Sequence, residues 1–160
     1  TLADNLKKNK GSVVLFSTVA VKQGFPNHAI VSSAKGAIEG LTLALAAEFA
    51  PNVRVNCIAP SLTNSKISNF LLKNEKVAEG IAKMHPMKRI GEGGDSASVA
   101  KFLLTDESSW ITGQILGVDG GRSSVAWQFL KKQLNKDYEK LICNNFYSFV
   151  KHKFNGCGKW

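Results

Sequence analysis

The residues able to carry chemistry are few and scattered. Three cysteines (Cys57, Cys143, Cys157) and three histidines (His28, His85, His152) include no pair at metal-ligand spacing. No metal site and no disulfide framework are expected, and each histidine reads as a surface or capping residue. An odd, dispersed set of thiols suits a reducing compartment, so a cytoplasmic location is expected. Two glycine-rich stretches invite comparison with phosphate cradles. Gly91-Glu92-Gly93-Gly94 has no strand in front of it, and Gly156-Cys157-Gly158-Lys159 has no helix behind it. Both therefore read as loop. What remains is a set of hydroxyls and one lysine within an ordered run of elements: Ser17 and Thr18, then Ser32, Ser33 and Lys35, then Thr63 and Ser65.

The net charge is +9, unevenly placed. Residues 1–122 hold 14 Lys/Arg against 10 Asp/Glu, while residues 123–160 hold 7 against 2. A Lys-rich exposed helix accounts for this, and no nucleic-acid motif accompanies it, so no nucleic acid is expected as a partner. No uninterrupted apolar run reaches the roughly 18–20 residues of a membrane span, so none is expected.

The elements that must position those hydroxyls follow from hydrophobic pattern. Residues 1–10 read as the end of a helix closed by Asn9, Lys10 and Gly11. Ser12-Val13-Val14-Leu15-Phe16-Ser17 is a short apolar, β-branched run suited to a strand buried on both faces. Residues 19–27 form a loop punctuated by Gly24 and Pro26. From 28 to 50, apolar residues at Ile30, Ala34, Ala37, Ile38, Leu41, Leu45 and Phe49 keep helical spacing. This helix is nearly apolar all round, hence buried or at an interface. A second strand covers 53–58, with Pro60 after it. Short helices are expected near 66–72 and 76–84. Another, over 97–104, is capped by Asp95 or Ser96. A third strand covers 115–118. Strands alternating with helices argue for an α/β parallel sheet. Beyond 122 the pattern changes: Trp127, Leu130, Leu134, Tyr138, Leu141 and Phe149 recur at helical spacing among lysines. Two domains are expected, an α/β unit over 1–122 and a basic extension over 123–160 carrying an amphipathic helix.

Four motifs in order resemble the short-chain dehydrogenase/reductase family. Gly11-Ser12-Val13-Val14-Leu15-Phe16-Ser17-Thr18 is similar to the family's fifth strand and hydroxyl turn. Ser33-Ala34-Lys35-Gly36-Ala37-Ile38-Glu39-Gly40-Leu41-Thr42 resembles its catalytic lysine helix. Val53-Arg54-Val55-Asn56-Cys57-Ile58-Ala59-Pro60-Ser61 resembles its sixth strand and Pro-Gly turn, with Ser61 at the Gly place. Trp110-Ile111-Thr112-Gly113-Gln114 with Val118-Asp119-Gly120-Gly121 resembles its last strand. The resemblance implies the C-terminal part of a doubly wound, parallel-sheet Rossmann fold of about three strands. The glycine-rich turn of the family's first half has no counterpart here. The chain is therefore expected to be a piece of a longer protein, or to need a partner chain that covers the apolar edge at Val13–Phe16.

The implied activity is NAD- or NADP-dependent hydride transfer between nicotinamide and a small alcohol or carbonyl compound. In the family a Tyr supplies the proton, a Lys four residues later lowers its pKa, and an upstream hydroxyl holds the substrate oxygen. Here the hydroxyl falls on Thr18 and the lysine on Lys35, but the Tyr place holds Val31, which has no exchangeable proton. The implied catalytic residues are thus Thr18 and Lys35, and the implied cofactor contacts Lys35, Pro60, Thr63 and Ser65. His28 is the nearest titratable stand-in for the missing Tyr. Incomplete or lost turnover is expected. The alternative is a non-catalytic interaction protein that forms homo-oligomers through the helix over 28–50, the surface family members use to dimerise.

Overall fold

A computed structural model describes residues 1–125. The amphipathic helix expected after residue 122 lies outside the described residues. Helix α1 (Leu2–Lys8) opens with a capping box in which the Thr1 and Asp4 side chains each accept the other residue's backbone N–H. Strand β1 (Ser12–Phe16) follows, then helix α2 (Ala29–Phe49) and strand β2 (Arg54–Pro60). Short helices α3 (Asn69–Leu72) and α4 (Glu75–Lys83) precede helix α5 (Gly93–Leu104) and strand β3 (Ile115–Val118). The three strands form a parallel sheet in the order β1-β2-β3. Ser12 pairs with Arg54 and Cys57 with Ile115.

β-strand alternation sends successive β2 side chains to opposite faces. On one face Val55 packs with Ala46 of α2, against Leu6, Val13, Leu15, Leu45 and Phe49. On the other, Arg54 donates to the carbonyls of Leu103 and Thr105 and to the Ser108 hydroxyl, clamping the end of α5. Asn56 is fully buried. Its amide donates to the Ile111 carbonyl and its Oδ1 accepts the Gln114 N–H, which fixes where the chain enters β3. β2 is thus the central strand, and β1 is an edge among the described residues.

Two expectations need correction. α5 begins at Gly93, inside the stretch read as loop. The reason is a second capping box: Asp95 sits in the first helical turn and accepts the Glu92 N–H, rather than capping from outside. Its carboxylate also receives both Arg89 guanidinium nitrogens, at 2.7 and 2.8 Å. α2, expected to be buried or at an interface, buries only Thr42 and Ala46 within the described residues, so the first alternative is the one corrected. Ile30, Leu41 and Leu43 of α2 stay exposed. By length and composition α2 also suffices to cross a membrane. No unbroken apolar run marks it, because Lys35, Glu39 and Glu48 interrupt the pattern. Two of those charges are spent on the neighbourhood of β1. The Lys35 ammonium donates to the Phe16 carbonyl at 2.9 Å, and the Glu39 carboxylate accepts the Ser17 hydroxyl at 2.6 Å.

Candidate functional site

A cleft of about 740 Å³ opens where β1 and β2 end. In open parallel α/β sheets, ligands bind beyond the carboxyl ends of the strands. Thr18, Val31, Pro60, Ser61, Thr63 and Ser65 all line it. Five of the positions singled out from sequence (Thr18, Val31, Pro60, Thr63, Ser65) therefore converge, although up to 47 residues separate them. Lys35 does not line the cleft. Its ammonium is turned to the Phe16 carbonyl.

Each hydroxyl is differently committed. Thr18 Oγ1 donates to the Pro60 carbonyl and accepts the Ala20 N–H, both at 3.4 Å, near the limit of hydrogen-bond length. It is held loosely and is free to turn toward a ligand. Ser17, by contrast, is buried and bound to Glu39. Thr63 donates to the Ser61 carbonyl. Ser65 pairs with Ser68, whose hydroxyl donates to the Thr63 carbonyl at 2.6 Å. Those two residues hold the loop after β2 in shape. Ser32 donates to the Ala20 carbonyl. His28 sets its Nδ1 against the Pro26 carbonyl and its ring edge-on to Phe25, so it anchors the start of α2. Val31 is about half exposed and presents methyl groups to the cleft.

The pair missed by sequence reasoning is Ser61 and His85. His85 is no surface residue: it is 2% exposed, at the end of α4. Its Nδ1 lies 2.9 Å from the Ile81 carbonyl and its Nε2 lies 2.8 Å from Ser61 Oγ. A carbonyl only accepts, so Nδ1 carries a hydrogen, and in that tautomer Nε2 accepts from the Ser61 hydroxyl. No spacing signal links residues 24 positions apart. The serine at the glycine place of the Pro-Gly turn was the only clue.

The chain leaves β3 through Gly120 and Gly121, at φ of +59° and +85°. A Cβ on Gly121 would meet Pro86 at 3.0 Å and Val125 at 3.1 Å, so the turn requires glycine. Asp119 fastens it by accepting the N–H groups of Gly121 and Ser123, at 2.9 and 2.8 Å. Burial pushes the Asp119 carboxyl up, but the Ser123 hydroxyl and these two N–H groups outweigh it and hold the pKa below the ordinary value. The turn brings Arg122 to the cleft wall, where its guanidinium lies 4.6 Å from the centre of the Phe25 ring.

A parallel sheet crossed by helices, with a largely apolar cleft beyond its strand ends, defines a doubly wound α/β protein. The family model described as "Enoyl-(Acyl carrier protein) reductase", a short-chain dehydrogenase model, matches residues 1–123. The chain belongs to the short-chain dehydrogenase/reductase family. It is 39% identical over 122 residues to a tropinone reductase-like protein of Erythroxylum coca, covering 76% of this chain and 47% of the relative. A short-chain type dehydrogenase/reductase from Mycobacterium ulcerans superposes with a TM-score of 0.71 at 31% identity, over 76% of this chain and 45% of that one. A gluconate 5-dehydrogenase from Burkholderia cenocepacia, in complex with NADP and tartrate, superposes with a TM-score of 0.72 at 25% identity, over 78% and 49%. The chain thus spans about half the length of the relatives it matches.

Proposed function

We propose that this chain forms the substrate- and nicotinamide-facing part of an NAD(P)-dependent oxidoreductase acting on a small alcohol or carbonyl compound, with turnover crippled by Val31. The observation that carries the reading is the convergence of Thr18, Val31, Pro60 and Ser61 on one cleft beyond the parallel strands. The described residues fit the nicotinamide end of the cofactor: a loosely held Thr18 hydroxyl, the Pro60 turn and the backbone that follows it. They include no glycine-rich strand-to-helix turn to cradle a pyrophosphate. A bound reduced nicotinamide supplies the hydride. The chain's own work is to orient the substrate oxygen at Thr18 Oγ1 and to furnish a proton beside it. Val31 cannot furnish one. Among the described cleft hydroxyls only Ser61 is hydrogen-bonded to an imidazole, that of His85, and there the ring accepts the hydroxyl's hydrogen, so the pair supplies no proton in place of the missing Tyr.

Positioned acid–base groups are typically worth about 10²–10⁴-fold in rate. Val31→Tyr places a phenol four residues before Lys35, on the same helical side. It should therefore raise oxidation of NADPH or NADH by small ketones by about 10²-fold or more. A Val31→Tyr protein that folds and binds cofactor but gains nothing contradicts the reading.

The exposed Ile30, Leu41 and Leu43 on α2 favour a second reading, a non-catalytic protein that self-associates through that helix. Stable dimers with no nicotinamide binding in sedimentation and titration experiments would select it.

A further inference from the structure

The names of the relatives run from a tropinone reductase-like protein to a gluconate 5-dehydrogenase, so the substrate class has to be read from this cleft's own side chains. The titratable groups among its lining residues are His28 and Arg122, and no Asp or Glu stands with them. His28 is tied to the Pro26 carbonyl. Arg122 is different. Of its five N–H donors, one points to the Met84 sulfur at 3.6 Å, a weak acceptor. No carboxylate of the described residues forms an ion pair with it. Asp119 exerts an attraction, but its oxygens are engaged by the N–H groups of Gly121 and Ser123. The guanidinium carbon lies over the Phe25 ring. That cation–π contact holds the group at the wall and uses none of its N–H donors, which leaves them for a planar acceptor. Partial burial makes an unpaired cation costly, and pulls this guanidinium below its ordinary pKa.

We propose that the cleft takes a substrate bearing a carboxylate, which Arg122 grips through its uncommitted N–H donors while the apolar body rests on Val31, Ile67, Leu71 and Ile81. Planar guanidinium and planar carboxylate match in a two-pronged hydrogen bond. The apolar wall selects an organic acid over a bare anion. This inference rests on the reading of the cleft as the family's reaction site, and names its substrate class.

The test is a titration of the 160-residue chain followed by NMR at constant ionic strength, reading the Arg122 Nε–H and the Thr18 and Val31 amides. Three probes are compared: benzoate, its neutral counterpart benzamide, and inorganic phosphate. Benzoate should bind saturably, at least about tenfold more tightly than benzamide, the scale of one charge-assisted hydrogen bond. Arg122→Gln should abolish that preference, and Arg122→Lys should keep part of it, as a charge without the fork. Equal affinity for benzoate and benzamide overturns the inference without any variant. So does an unchanged benzoate preference in Arg122→Gln. Phosphate binding as tight as benzoate also overturns it, since the site would then read an anion alone. Carboxylate preference in a protein that gains no hydride transfer from Val31→Tyr counts against the oxidoreductase reading alone. Restored turnover on neutral ketones without that preference counts against the carboxylate alone.

Discussion

Removing the Ser61 hydroxyl should strand a buried imidazole. His85 is 2% exposed, and its two ring nitrogens have one partner each, the Ile81 carbonyl and Ser61 Oγ. In Ser61→Ala the Nε2 acceptor loses its only donor, with almost no access for water. A buried polar group left unpaired costs about 1–3 kcal/mol. That is a sizeable part of the roughly 5–15 kcal/mol that holds a typical domain together. The loss depends on the ring being present. Once His85 is Ala, Ser61→Ala strands nothing, and its cost should fall below about 0.5 kcal/mol, the usual scatter of independent sites. A double-mutant cycle by urea denaturation, followed by far-ultraviolet circular dichroism, gives the coupling directly. A Ser61→Ala cost that is the same with and without His85 would refute the assigned hydrogen bond, and with it Ser61 as the imidazole-backed hydroxyl of the cleft.

Other perturbations have equally definite outcomes. Arg54→Met removes three hydrogen bonds at the end of α5 and should cost at least about 2 kcal/mol in the same denaturation assay; a neutral effect would mean that the clamp is not formed. Gly121→Ala forces a side chain onto a backbone at φ +85° against Pro86, and should lower stability by about 1–2 kcal/mol, read as a shift in the urea midpoint. Asp95 is held down to about 2 by the Arg89 guanidinium and the Glu92 N–H. Because its folded pKa lies below the unfolded one, the stabilisation is full above pH of about 4 and is lost as pH falls toward about 2. Asp95→Asn should flatten the fall in melting temperature across that window, and an unchanged acid profile would count against the pairing.

The fold was legible where local pattern and tertiary role agree. The β-branched runs at 12–17 and 53–58 read as strands, and β1 and β2 fall on them within two residues, while β3 matches the expected 115–118. Ala- and Leu-rich spacing placed α2 within one residue at each end. The start of α5 was not legible, because Gly93 and Gly94 are poor helix formers. Only the reciprocal bonds of Glu92 and Asp95 settle that they are helical. In the site, Thr18, Pro60, Thr63 and Ser65 meet at one cleft, while Lys35 stands outside its lining with its ammonium on the Phe16 carbonyl. His85 and Arg122 escaped notice for different reasons. A single histidine has no spacing to betray it, and its partner lies 24 residues upstream. Arg122 reaches the cleft only because two successive glycines adopt positive φ, which depends on Asp119 and on the packing of Pro86.

The most direct test of the central claim uses the part of the cofactor that the described residues fit. Reduced nicotinamide mononucleotide, which needs no pyrophosphate cradle, is titrated against the protein while the amide signals of Thr18, Val31, Ser61 and Thr63 are followed by NMR. The account predicts saturable shifts at these four positions, with α2 beyond its first turn unmoved. Shifts confined to α5 or to α2 beyond its first turn, or none at saturating ligand, would contradict the assignment of this cleft to nicotinamide chemistry.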